Sequence, residues 1–126
     1  MHYPSAFLWI ALQASAATPD TYSRCENPAA DDARPYILCV TETDFDRADV
    51  RLKAQWHRSL DYIGRSRGAK ARKHLIADQR KWLRKRDRAC DAVAASSPST
   101  QSGRNQMSCL VQKTKARISK LKAMMH

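Results

Sequence analysis

The chain has 126 residues, with 23 Lys and Arg against 12 Asp and Glu for a net charge of +11, and its isoelectric point is near 10.0. Such a length with ordinary apolar content fits one domain around one modest core and calls for no second domain. The positive excess predicts attraction to anionic surfaces, whether nucleic acid, lipid headgroups or acidic protein.

Residues 1–17, MHYPSAFLWIALQASAA, read as a secretory signal peptide, with an apolar run from Ala6 to Leu12 and small residues at Ala14 and Ala16 in A-x-A spacing. The n-region departs from the pattern in having only His2 beside the terminal amine. The run is about half the length of a membrane span, so no stable span is expected after cleavage. No Leu-x-x-Cys lipobox precedes Cys25, and the expected product, residues 18–126, is a single soluble helical domain in the periplasm or secreted.

Export changes the meaning of the four cysteines, because an even count in a small exported chain points to disulfides. Cys25, Cys39, Cys90 and Cys109 contain no C-x-x-C pair and no nearby histidine pair that would favour a metal. Three connectivities are open, and proximity in the chain favours Cys25 with Cys39 and Cys90 with Cys109.

Charge is segregated along the chain. Residues 17–50 hold eight acids and three bases, whereas residues 51–90 hold fourteen bases and three acids. The acidic segment TPDTYSRCENPAADDARP is rich in turn formers and reads as irregular. A first helix starts near Asp32 to Pro35, with an Asp cap and a proline in the first turn, and runs to about Ile63. Phe45, Ala48, Leu52, Trp56 and Ile63 share one face about 80° wide, and Asp49 falls among them. The short link from Gly64 to Gly68, GRSRG, makes the first two helices an antiparallel hairpin.

The second helix includes residues 74–93. Leu75, Gln79, Trp82, Arg86, Cys90 and Val93 fall on one face about 80° wide, flanked by Ile76 and Leu83, and that face should be buried. Arg80, Lys81, Arg84, Lys85 and Arg88 map to the opposite side. They are the candidate anion-binding residues, against the simpler reading of a solvated face. Arg86 points inward and needs a partner, since an unpaired buried charge costs several kcal/mol. Asp49 lies within about 4.5 Å of its level across the hairpin, so an Asp49–Arg86 ion pair is expected.

The segment AASSPSTQSGRNQ, residues 94–106, reads as a flexible loop. A third helix follows from about Met107 to Met124, with Met107, Leu110, Val111, Thr114, Ile118 and Leu121 on one face and Arg117 at its margin. Without sustained period-two alternation, the expected fold class is all-α: a three-helix antiparallel bundle with disulfides, preceded by the signal peptide. Gln79 and Thr114 on buried faces read as interhelical hydrogen-bonding residues, and with Asp49 and Arg86 they form a structural polar motif. Trp56 and Trp82 read as core.

The series Cys39, Ala48-Asp49-x-x-Leu52, Gln79-x-x-Trp82-x-x-x-Arg86-Asp87-x-x-Cys90 and Cys109-Leu110-x-x-x-Thr114-x-x-Arg117-x-x-x-Leu121 resembles the small exported family named after the lysozyme-inhibitor lipoprotein LprI. The likeness covers about Cys25 to Leu121. It implies an all-helical, disulfide-bearing envelope domain and, for some members, inhibition of lysozyme. The chain departs from the family pattern at Lys53, usually Asn, and at Trp56, typically Tyr.

These readings converge on an exported, non-enzymatic domain that binds an envelope protein or anionic cell-wall polymer through its basic face. The alternative is a lysozyme inhibitor acting through the acidic stretch Asp20 to Asp49, since c-type lysozymes are basic and a +11 chain repels them at long range. Nucleic acid is disfavoured by the export signal and by the lack of a reading motif. No cofactor or metal is expected. His2, His57, His74 and His126 show no ligand spacing, and Asp78 and Asp87 stand about 13 Å apart along one helix, beyond the usual glycosidase span.

Overall fold

The computed structural model describes Tyr22, Cys25, Glu26 and residues 34–126. The expected leader, most of the acidic segment and the Asp32 cap lie outside the described residues. Three helices follow one another: α1 (Arg34–Arg67), α2 (Ala69–Ser96) and α3 (Ser102–Ala123). They form an antiparallel bundle with no strand among the described residues. At 1.5 Å per residue α1 extends about 51 Å, long enough for both partners to lie along it.

The hairpin link is tighter than the expected GRSRG segment. Helix α1 continues through Gly64 to Arg67, and Gly68 alone breaks the chain, at φ +93°. With ψ at 176° this is a region essentially reserved for glycine, and it costs a side-chain-bearing residue about 1–3 kcal/mol, which is why glycine stands there. Gly64 is helical and needs no special conformation: a Cβ there would meet only the Arg72 side chain of α2, its Cδ at 3.1 Å.

The expected 94–106 loop is shorter too. Only residues 97–101 separate α2 from α3, and α3 begins five residues before Met107. The serines that suggested a loop instead satisfy the carbonyls left over at the end of α2. Ser97 Oγ donates to Val93 O at 2.6 Å, and Ser102 Oγ donates to Ala94 O at 3.0 Å. Asn105 Nδ2 then donates to Ser97 Oγ at 3.0 Å, and Gln106 Nε2 to Asp91 Oδ1 at 2.8 Å. Val93, expected on the buried stripe, is exposed, and the stripe of α2 ends at the buried Cys90.

Along its axis the bundle has three layers. At the hairpin end lies the apolar core of Leu52, Trp56, Ile63, Leu75 and Leu121. At the other end two disulfides, Cys25–Cys39 and Cys90–Cys109, leave no free cysteine. The second closes a loop of 19 positions, worth about 3 kcal/mol in the chain-entropy account. Between the ends, α2 and α3 bury four polar or charged residues around Trp82: Gln79, Arg86, Thr114 and Arg117.

The two glycines of the hairpin should respond oppositely to a methyl group. Gly68→Ala is expected to cost about 1–3 kcal/mol in denaturant unfolding from its positive φ with extended ψ. Gly64→Ala should be neutral or stabilising by up to about 1 kcal/mol, because Ala suits a helix and only the flexible Arg72 side chain must move.

Candidate functional site

Helical spacing places Gln79, Trp82 and Arg86 on the face of α2 that meets α3, and Thr114 and Arg117 on the facing side of α3. The result is an aromatic ring with two guanidinium groups packed against it. Arg86 Cζ lies 5.2 Å and Arg117 Cζ 5.5 Å from the Trp82 ring centre, and Arg86 also lies 5.4 Å from the Phe45 ring centre. Each contact is worth about 0.5–2 kcal/mol depending on desolvation.

Both guanidinium groups also have hydrogen-bond and charge partners. Arg86 Nη1 donates to Thr114 Oγ1 at 3.2 Å, while its Nη2 lies 2.9 Å from Asp87 Oδ1. Arg117 Nε donates to Gln79 Oε1 at 2.8 Å and its Nη2 to Asp78 Oδ2 at 2.9 Å. Both arginine side chains are 3% exposed, whereas Asp87 is 46% and Asp78 54% exposed. The carboxylates thus remain hydrated while compensating the buried charges, which lowers the desolvation cost of each pair. Gln79 Nε2 is the single buried side-chain nitrogen or oxygen without a partner among the described residues.

The expected Asp49–Arg86 pair does not form. Asp49 Oδ2 is bound by Lys53 Nζ at 3.1 Å, one helical turn along α1, and stays half-buried at the bundle edge. Arg86 is turned toward α3, where Thr114 and the Trp82 face supply a site that Asp49 does not reach. Arg117, read as marginal, is buried. Leu110, Thr114, Arg117 and Leu121 repeat at four, three and four residues, so their spacing already placed Arg117 inside the stripe.

A second polar contact joins α1 and α3 and has no counterpart in the sequence reading. Gln55 Nε2 donates to Ser59 Oγ at 3.0 Å, and Ser59 Oγ donates to Leu121 O at 3.2 Å. Leu52, Trp56, Ser59 and Ile63 have the same four-three-four spacing, but Ser59 does not register as core by hydropathy.

The outer surface differs chemically from this interior. Arg80, Lys81, Arg84, Lys85 and Arg88 are all exposed on α2. None of the five has a hydrogen bond or ion pair among the described residues. On the first half of α1, Glu42 and Asp46 are exposed, and Asp44 accepts a hydrogen bond from the Tyr22 hydroxyl. That bond, with burial assisting, raises the Tyr22 pKa above its ordinary value. Asp78 and Asp87, the carboxylate pair weighed as acid and base, are each committed to an arginine. His57 and His74 are exposed. Among the described residues no group of three or more His, Cys, Asp or Glu could hold a metal ion, and no helix is long and apolar enough to cross a membrane.

The family model described as "Lysozyme inhibitor LprI" matches residues 25–121, from the first disulfide cysteine to the last fully buried leucine of α3. No curated protein and no solved structure matches the chain.

The Gln79–Arg117 bond can be isolated by a double-mutant cycle. Gln79→Leu should cost about 1–3 kcal/mol by leaving the Arg117 Nε–H without an acceptor. Adding Arg117→Met should recover part of that loss, giving a coupling of about 1 kcal/mol or more in urea unfolding.

Proposed function

Because the chain belongs to the lysozyme inhibitor LprI family, we propose that it is an exported, non-catalytic binding domain whose working surface is the outer face of α2, directed at anionic cell-wall polymer. One observation carries this reading. Arg80, Lys81, Arg84, Lys85 and Arg88 are exposed without a carboxylate partner, on a helix whose other side is locked into the bundle. Within about three turns of helix these cations form a stripe about 12 Å long, set on a rigid element at low conformational cost. A polyanion passing along it would release counterions at each contact, giving binding that falls steeply with salt.

A second reading is favoured by the family and by the polarity of α1. Glu42 and Asp46 are exposed at the end of the bundle where the Cys25–Cys39 disulfide fastens the preceding segment. That acidic end would face a basic lysozyme while the α2 cations point elsewhere, so inhibition and polymer binding are compatible uses of different surfaces. An inhibitor held on the wall polymer would stand where lysozyme acts.

Two measurements separate these uses. Replacing the five α2 cations by Gln should leave unfolding within about 0.5 kcal/mol per site, because exposed charges contribute little to stability. Capture of poly(glycerol phosphate) should fall at least tenfold and lose most of its salt dependence. Unchanged capture would reduce the stripe to a solvated face. In the lysozyme arm, inhibition should persist at about 150 mM salt and weaken in the Glu42→Lys, Asp46→Lys double variant but not in the five-Gln variant.

A further inference from the structure

Between α1 and α3 runs a groove lined by neither α2 nor any carboxylate. Its floor is apolar, made by Val50, Ala54 and Ile118, all half-buried. Its rim carries Arg51 and Arg58 from α1 and Lys115 and Lys122 from α3, all exposed. Arg58 Nη2 donates to the neutral Gln55 Oε1 at 3.1 Å. Arg51, Lys115 and Lys122 have no partner among the described residues.

The rim is periodic. Helices α1 and α3 run in the same direction, and the Ser59–Leu121 hydrogen bond sets their register. Arg58 then stands near the level of Lys122, and Arg51 near that of Lys115. Both steps are seven residues, so two tiers of paired cations face each other about 10.5 Å apart along the groove.

We propose that this groove is a docking site for an acidic amphipathic helix of a partner protein, lying along α1 and α3 as a fourth helix. Seven residues is the repeat at which one face of a helix returns to the same seam, so carboxylates at i and i+7 of the incoming helix meet both tiers. Apolar side chains at i+3 and i+4 between them cover Val50, Ala54 and Ile118, and the small Ala54 gives the depth for one of them. A bare polyanion would satisfy the rim and leave the floor wet. A flat anionic headgroup surface would reach the rim but not the recessed floor. The charge also opposes a basic lysozyme at this site, so the groove and the acidic end of α1 address partners of opposite sign.

The test uses the oxidised protein and a fluorescent peptide of three heptads, with Leu at i+3 and i+4 and Glu at i and i+7. A control peptide of identical composition has the Glu positions moved off the heptad. The first peptide should bind at about 150 mM salt at least tenfold more tightly than the control and should gain helicity on binding. Lys115→Glu with Lys122→Glu, both exposed and confirmed folded by circular dichroism, should weaken binding at least tenfold. Ala54→Trp should abolish it by filling the floor. If that variant misfolds, Ala54→Leu is read instead, with loss expected again. Equal binding of both peptides, insensitivity to the Lys pair, or preference for polyphosphate or phosphatidylglycerol vesicles over the peptide would overturn the proposal. Concentration-dependent self-association of the protein, lost in the Lys pair variant, would assign the groove to a second copy and overturn it as well.

Discussion

Two arginines buried between α2 and α3 set the constraint to which much of this bundle answers. A guanidinium taken out of water must be given acceptors for its N–H groups, a counter-charge and a surrounding surface, or the fold loses several kcal/mol. Here every one of those needs is met locally. Trp82 offers its ring to both, Gln79 and Thr114 accept, and Asp78 and Asp87 supply charge from the surface. Polar contacts of this kind are directional, so they fix the register of α3 against α2 more narrowly than leucines would.

That arrangement also shapes the surface. Between residues 51 and 90 the chain has three carboxylates, Asp61, Asp78 and Asp87. Asp61 is bound by Arg65 within its own helix, and the other two are drawn to the buried arginines. No acid in that stretch remains to neutralise the outward cations of α2. The interior polar layer and the unbalanced basic face are therefore two consequences of one allocation of charge, and the second follows once the first is satisfied.

The ends of the bundle are held by different means. At the hairpin a single glycine turns the chain and the largest apolar cluster forms beside it. At the far end, apolar burial is thinner and two disulfides, assisted by the serine and amide bonds around residues 93–106, hold the helices together. In a chain with one small core, covalent closure is an effective way to restrain an end that cannot bury enough surface.

Hydropathy period was enough to place three helices, to put Leu52, Trp56, Leu75 and Leu121 inside, and to separate the inward Arg86 from the five outward cations of α2, because burial follows a repeat that one helix carries by itself. The order and spacing of the Cys, Trp, Gln, Arg and Thr residues was enough to point to the family. Tertiary structure decided what the inward polar groups touch. Asp49 took Lys53 on its own helix, and Arg86 took Thr114 and Asp87, since a long side chain has several acceptors at one level and only the packing angle chooses among them. It also made helix ends of residues that looked like a loop, because Ser102 and Asn105 reach Ala94 O and Ser97 Oγ at the end of α2 only when α3 folds back beside it. The α1/α3 groove belongs to the same class. Its cations lie on two helices more than fifty residues apart in the chain, and no pattern within either one shows that they face each other.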